Sequence, residues 1–446
     1  GGNMTASCTS SRVISGLLAL SAGAGFGLLA SSASAGGFYL KEQSTEGVGR
    51  AFAGETALAS DASTVYFNPA GMTRFSRPVA TAGAYALFID SEQTDQGTTR
   101  TAAGPLGSFP AGGNDGGNPF DTLTPTGNFY AVAPIDNDRW WAGIGINTPY
   151  GFQSDYDPGF FGRYDSLKSD LMTVNIQPSI AYKLNEIFSV GGGINFQYVD
   201  VELTNALPNA TPSTPDGLFK VEGDDWSVGW NVGLQAEFER LDLGIQYRSQ
   251  VEHDLDGNLN ISGLTGPLAV QNGTFGATAP LTLPDIASAG VVYHLPDGKT
   301  RLMGDVSWFN WADFEQIAIS ASSGAQFNSP QNYEDTWAVA LGGEHDFSER
   351  LTLRTGVQFD ETPTRNSFRT TRVPDGDRWW LTGGATYDLS ETYSVALSYA
   401  HIFVSEESLN RTDSFYEGTP AQVNSTLRSR NTGDADILAV GLTATF

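Results

Sequence analysis

The side chains from which a reacting site would be built are scarce in this chain: four histidines (His253, His294, His345, His401) and one cysteine, Cys8. A nucleophile needs a base within hydrogen-bond reach, and the base needs a third group to orient it. None of the histidines stands in such a Ser or Asp context, and no G-x-S-x-G elbow occurs. Asp155, Asp157, Asp254 and Asp256 lack the spacing of an EF-type loop. Gly47-Val48-Gly49 follows no strand and has no third glycine where a phosphate cradle would need one. No enzymatic activity, metal or cofactor is therefore expected. What remains is non-covalent binding.

The composition limits the class. Fifty Asp plus Glu oppose 24 Lys plus Arg, a formal charge of −26, so phosphate neutralisation of a nucleic acid is excluded. Hydrophobic residues at 40% and 26 Phe, 16 Tyr and 9 Trp are far too many for a disordered acidic tail. One cysteine builds no disulfide framework. A glycine count of 52 with charged residues at only 17% points to a large β chain.

Residues 13–30 are weakly apolar and small, Arg12 precedes them and Ala33-Ser34-Ala35 follows. A basic residue, an apolar run and an A-x-A ending are the parts of a secretory signal peptide, here residues 1–35. Gly1–Asn3 before Met4 read as a cloning remnant or an upstream start. A membrane anchor is the alternative, but the run is diluted by small residues and has no basic stop-transfer flank. No other stretch approaches 18 consecutive apolar residues, so the exported chain is either soluble or a barrel.

Periodicity favours the barrel. Val174, Ile176, Pro178, Ile180, Tyr182 and Leu184 alternate with Thr173, Asn175, Gln177, Ser179, Ala181 and Lys183. Segments near ten residues, bulky on one face and small or polar on the other, fit tilted membrane strands. Strands are expected at 77–93, 127–135, 139–152, 170–184, 188–203, 224–239, 241–262, 279–295, 300–322, 333–349, 350–362, 377–390, 391–411 and 437–446. Tight turns such as Asp136-Asn137-Asp138, Asn185-Glu186 and Ser390-Glu391 alternate with long connections such as 94–126, 153–169 and 412–436. This asymmetry predicts an all-β chain forming a 14-stranded antiparallel transmembrane barrel, residues 77–446, with long loops outside the cell. Asp138-Arg139-Trp140-Trp141 and Asp377-Arg378-Trp379-Trp380 put paired Trp at strand starts, where aromatic girdles form. Phe446 ends an alternating strand in the manner of an outer-membrane assembly signal, against the bland reading of an ordinary core strand.

Residues 36–76 do not alternate. They are too long and apolar for a solvated tail, and a fourteen-stranded lumen has room for them as a plug, with short helices around Thr56–Ser60. A periplasmic extension is the alternative. Within this stretch, Gly47-Val48-Gly49-Arg50-Ala51, Gly54-Glu55 and Asn68-Pro69-Ala70 resemble the N-terminal hatch of the FadL-type family, the outer-membrane long-chain fatty-acid transporters. Further matches follow in order: Asn147-Thr148-Pro149-Tyr150-Gly151, Tyr247-Arg248-Ser249-Gln250-Val251, Leu283-Pro284-Asp285 and Val373-Pro374-Asp375-Gly376-Asp377-Arg378-Trp379-Trp380-Leu381. The resemblance covers the whole chain after residue 35.

The resemblance implies that a hydrophobic ligand enters among the extracellular loops, crosses the lipopolysaccharide layer and reaches a pocket in the barrel. It then leaves sideways into the outer-membrane lipid beside a kinked third strand. A wet pore would cost such a ligand roughly 0.8 kcal/mol per exposed CH2. The matching strand is 139–152, where Pro149 removes a ladder donor and Gly151 permits a bend. The plain alternative is a strand end entering its loop. The resemblance further implies that Asn68, Pro69 and Ala70 sit against the kink at Asn147–Gly151, and that Phe38, ahead of Gly49 and Arg50, reaches the pocket. A fatty-acid ligand would further imply a cation able to hold its carboxylate through charge-assisted hydrogen bonds. Asp200 and Glu202 in strand 188–203, and Ala318 and Glu315 in strand 300–322, stand where a fatty-acid carrier could place one. The candidates present are Arg163 and Lys168, in a long loop, and Arg248 and Arg354, on strands, and each could equally pair with one of the many carboxylates. An acidic lumen would suit neutral aromatic or aliphatic hydrocarbons, which relatives of the family take up. A general diffusion porin is a further alternative, disfavoured by the forty-residue stretch before the first strand.

Overall fold

The structure, a computed structural model, describes residues 36–104, 107–120, 124–136 and 139–446. The expected signal peptide and residues 137–138 of one expected turn lie outside the described residues. Fourteen antiparallel strands close a barrel. In chain order they are β1 (Val79–Asp95), β2 (Thr124–Asp136), β3 in two pieces (Trp140–Asn147 and Gly151–Asp155), β4 (Lys168–Lys183), β5 (Phe188–Leu207) and β6 (Gly217–Glu237). There follow β7 (Leu241–Arg248 and Val251–Ser262), β8 (Gly273–Leu283 and Ile286–His294), β9 (Thr300–Phe309 and Gln316–Ala321) and β10 (Gln326–Pro330 and Thr336–Asp346). The last four are β11 (Leu351–Asp360), β12 (Arg378–Asp388), β13 (Tyr393–Phe415) and β14 (Val423–Thr445). Strand β14 pairs with β1 from Val79↔Thr445 to Asp95↔Ser429 and leaves the sheet without an edge.

The alternation explains the closure. On β6, Trp226, Val228, Trp230, Val232 and Leu234 point outward and are 40–59% exposed, while Asn231 and Gln235, at alternate positions, point inward and are buried. An apolar belt of this kind is stable only against lipid hydrocarbon. The Trp pairs split across the wall. Trp140 and Trp379 face outward, but Trp141 donates to the Phe75 carbonyl (2.8 Å) and Trp380 packs on Phe52, so each pair gives the girdle one ring.

Strands β7 to β10 are interrupted at one level, which continuous alternation had not suggested. Asp285, between the pieces of β8, accepts from the Tyr247 hydroxyl and from Gln250 N–H at the β7 break (2.9 Å). Its carbonyl accepts from Asn310 N–H at the β9 break (3.0 Å). The breaks turn Trp311, Phe314 and Tyr333 into the lumen.

The segment before β1 lies among the strands, not outside them. It carries α1 (Thr45–Gly49), α2 (Glu55–Leu58), α3 (Thr64–Phe67) and a 3-10 turn (Pro69–Arg74). The Ser44 hydroxyl caps α1 by accepting from Gly47 N–H (3.0 Å), and the Asn68 side chain caps the 3-10 turn by accepting from Ala70 N–H (3.1 Å). Wall glycines permit its close approach. A Cβ on Gly356 would stand 2.2 Å from the Arg50 carbonyl oxygen, and one on Gly244 2.0 Å from that of Thr56.

Candidate ligand cavity and wall opening

The third strand is interrupted between Asn147 and Gly151. Its first piece pairs with β2 from Phe129↔Ile146 to Asp136↔Trp140 and with β4 from Trp140↔Tyr182 to Asn147↔Asn175. Its second piece pairs with β4 alone among the described residues. The ladder between β2 and β3 therefore stops above Ile146. The freed backbone groups are satisfied from inside the barrel. Leu40 N–H donates to the Pro149 carbonyl (2.8 Å), Gly151 N–H to the Phe38 carbonyl (3.0 Å) and the Gln43 side-chain amide to the Thr148 carbonyl (2.8 Å). Tyr39 and Tyr150 form an antiparallel bridge. Residues 38–43 thus act as a substitute strand behind the break. An unpaired buried peptide group costs about as much as a lost hydrogen bond, which explains why the strip is held there.

Asn68-Pro69-Ala70, expected against the kink, has its hydrogen bonds elsewhere. The Asn68 side chain donates to the Thr56 carbonyl (2.8 Å) and to the Leu234 carbonyl of β6 (3.0 Å). Pro69 and Ala70 rest on Gly191 of β5, where a Cβ would come within 2.5 Å. The element caps its own turn, and its side-chain hydrogen bond to the wall goes to β6.

Above the strip lies an apolar space of about 830 Å3, its opening to solvent included. Phe38, Phe152, Leu171, Val201, Leu203 and Leu281 supply much of its wall, and Phe314, Ile317, Ile319, Tyr333 and Val373 add further apolar surface. Ligand sites are commonly apolar concavities with a few polar groups. Phe38 joins cavity to break: its ring meets Tyr150 (6.3 Å between centroids), Phe152 (6.0 Å), Trp311 (4.8 Å) and Phe314 (5.5 Å). It is two residues from the Leu40 N–H that closes the ladder.

None of the four expected cations lines this cavity. Arg163 pairs with Asp216 (2.8 Å) and stacks on Tyr164. Lys168 pairs with Glu202 (3.0 Å). Arg248 donates to Asn195 (2.7 Å), Gln177 (3.1 Å) and the Tyr66 carbonyl (2.9 Å), and lies over the Tyr66 ring. Arg354 pairs with Glu344 (3.0 Å) and Glu46 (3.5 Å), beside the Arg50–Glu344 pair (2.8 Å) and the Arg50–Glu55 pair. Asp200 and Glu202 alternate onto the outer face of β5, with Val199, Val201 and Leu203 facing in, so they do not acidify the lumen. Glu315 is exposed.

The cation that does line the cavity is Arg372, which sequence reasoning missed. It precedes Val373-Pro374-Asp375 by one residue, and nothing in its spacing distinguished it from other loop arginines. Its guanidinium donates to the Ser169 hydroxyl (3.3 Å), the Thr204 carbonyl (3.5 Å) and Asn205 (3.1 Å), and it makes no ion pair among the described residues. The neighbouring Asp165 is taken by Thr371 N–H and hydroxyl (2.6 Å each) and by Arg411. Burial pulls the Arg372 guanidinium below its usual range, as expected of a cation short of a counter-charge. Phe152, Arg372 and Val373 also border a second space of about 630 Å3 on the β12–β1 side, with Ile89, Phe120, Ile402 and Val404.

The sequence matches the outer membrane protein transport family (OMPP1/FadL/TodX) over residues 26–446. It is 30% identical over 416 residues to the long-chain fatty acid transport protein of Escherichia coli K12, covering 84% of this chain and 90% of the relative. It is 27% identical over 461 residues to outer membrane protein P1 of Haemophilus influenzae, covering 94% and 97%. The fold superimposes on a crystal structure of a Pseudomonas aeruginosa FadL homologue with a TM-score of 0.82 at 26% identity, over 92% of this chain and 100% of that one. Edgeless closure, a lipid-facing belt, an internal apolar cavity and these likenesses agree: the chain belongs to the OMPP1/FadL/TodX family of outer-membrane transporters of hydrophobic compounds.

Proposed function

We propose that this barrel takes up long-chain fatty acids, with residues 36–76 as its hatch and the break in β3 as its lateral exit. The single observation that carries the reading is the pairing of an apolar cavity with one buried guanidinium lacking a carboxylate partner among the described residues. A carboxylate at Arg372 would supply the missing charge while the alkyl chain occupies the space lined by Leu171, Val201, Leu203 and Leu281. Transfer from water favours this by about 0.8 kcal/mol per buried CH2, so a long tail supplies the affinity and Arg372 the choice of head group. A chain growing into the cavity competes with the Phe38 ring. Moving Phe38 withdraws Leu40 from Pro149 and opens the ladder where β2 and β3 are unpaired. No energy source is required, because the ligand leaves for lipid. The likeness of the E. coli relative, a long-chain fatty acid transport protein by name, supports the same substrate class.

The test is direct binding of oleate and of hexadecane to the purified barrel, in wild type and Arg372→Ala. Loss of charged hydrogen bonds worth about 1.5–3 kcal/mol should weaken oleate roughly 10- to 100-fold and leave hexadecane unchanged. Equal oleate affinity in both proteins would overturn the head-group role. Binding of hexadecane alone would make this a channel for neutral hydrocarbons.

A further inference from the structure

The strip that closes β3 begins at two glycines whose surroundings are unusual. Gly36 N–H donates to Asp360 Oδ2 (3.1 Å) and Gly37 N–H to Asp375 Oδ2 (2.8 Å). Both carboxylates are buried. Asp375 has other donors: the Thr362 hydroxyl (2.7 Å), Gly376 N–H (2.9 Å) and the Arg378 guanidinium. Asp360 does not. Arg378 Nη1 stands 3.7 Å from it and makes no hydrogen bond, and Gly36 N–H is its one side-chain hydrogen-bond donor among the described residues. Two buried carboxylates therefore share one guanidinium, with Lys41 and Glu42, of opposite charge, as the flanking titratable groups on the strip. A buried carboxylate with a single amide donor is poorly compensated.

The space admits only a glycine start. A Cβ on Gly36 would lie 2.9 Å from the Glu361 carbonyl oxygen. Gly37 has φ +72° and its Cβ would lie 3.0 Å from the Trp311 ring. Ala33-Ser34-Ala35, the expected export-peptidase signal, ends at the residue before Gly36.

We propose that Gly36 is the N-terminal residue of the exported chain and that its α-ammonium is an intramolecular ligand of Asp360, pinning the strip that closes the β3 break. Water adds across the Ala35–Gly36 bond under an export peptidase, leaving a carboxylate on Ala35 and an ammonium on Gly36. Three N–H donors and a positive charge then replace one amide donor. Processing thus completes the seal, and the pin stands two residues from the Phe38 ring that borders the cavity. The inference rests on the hatch reading of residues 36–76.

The test uses the barrel purified from outer membranes. Intact mass should place the start at Gly36, and any other start overturns the proposal. Acylation of the α-amine at pH 8 is then followed by peptide mass spectrometry. An ammonium held by a carboxylate loses free amine by about tenfold per unit of raised pKa. Wild type should label at least about tenfold slower than the same chain in urea, and Asp360→Asn should remove most of that protection. Inserting one glycine between Gly36 and Gly37 displaces the ammonium by roughly 3.5 Å without touching the wall, and should also label fast. Equal protection in wild type and both variants would mean burial alone and overturn the pin. Lys41 serves as internal control. If its amine labels in the folded wild type, the hatch reading fails. If Lys41 is protected while Gly36 labels freely, only the pin fails.

Discussion

The two halves of the N-terminal segment are held in different ways. The half from α1 to the 3-10 turn is tied by charge. Arg50, Arg354 and Arg301 surround Glu344, Arg50 also pairs with Glu55, and Arg74 reaches Asp242 (2.9 Å). The half from Gly36 to Gln43 is held mainly by hydrogen bonds of its backbone, two of them to the Asp360 and Asp375 carboxylates at its very start, by the Lys41–Gln358 hydrogen bond and by aromatic edges around Phe38. Charged contacts in a buried site are costly to break one partner at a time, whereas a strip paired at three or four peptide groups can leave its seat. The arrangement teaches how a barrel can stay plugged yet yield locally. On the proposed mechanism, the wired half would keep the lumen shut to water and the other half would lie between cavity and exit.

The sharpest way to break this contrast is Arg50→Ala. It strands Glu55, whose one ion-pair partner among the described residues is Arg50, and takes one of three cations from Glu344, at a cost of about 3–5 kcal/mol. Amide exchange should lose protection across Thr45–Arg74 while the strands keep theirs, and single-channel conductance should rise from near zero. A smaller effect follows from Glu42, whose side-chain oxygens have no partner among the described residues and whose carboxyl burial pushes up to about 7. Released from the site it titrates near the usual value of about 4.3. Between those values the seated strip holds an extra proton, so seating weakens as pH rises and the full cost is present above about 7. The difference is at most roughly 4 kcal/mol. Exchange at Phe38–Gln43 should be faster at pH 8 than at pH 5, and Glu42→Gln should abolish the difference. The smallest effect is expected from Asn68→Ala. It removes a turn cap and two donated hydrogen bonds, about 1–2 kcal/mol, and should loosen the wired half without changing oleate affinity.

Much of this was legible in the sequence, and the reasons for the rest are physical. All fourteen strands could be read because one face must meet lipid over every span, as Trp226 to Leu234 show. The β3 break could be read because Pro149 cannot donate to a ladder. Its partner could not. Phe38–Gln43 closes the break through backbone groups, which carry no side-chain signature, while the conspicuous Asn68-Pro69-Ala70 is occupied with its own cap. Arg163, Lys168 and Arg354 are claimed by carboxylates, as is usual in an acidic chain, and Arg248 by Asn195, Gln177 and the Tyr66 carbonyl. Arg372 stands apart because folding keeps carboxylates from it and sets it on the apolar cavity, and linear sequence does not record that. The interruptions in β7 to β10 fall in stretches whose polarity still alternates, so only Asp285 and its partners reveal them.

The central claim is that ligand leaves through the β3 break when the strip withdraws. Tyr39 and Tyr150 face each other in an antiparallel bridge, at a spacing a disulfide can span. The measurement is uptake of labelled oleate by cells carrying Tyr39→Cys with Tyr150→Cys, oxidised and then reduced, beside binding to the same purified protein. The account predicts that oxidation abolishes uptake while binding persists, and that reduction restores uptake. Undiminished uptake with the strip locked to the wall would contradict it.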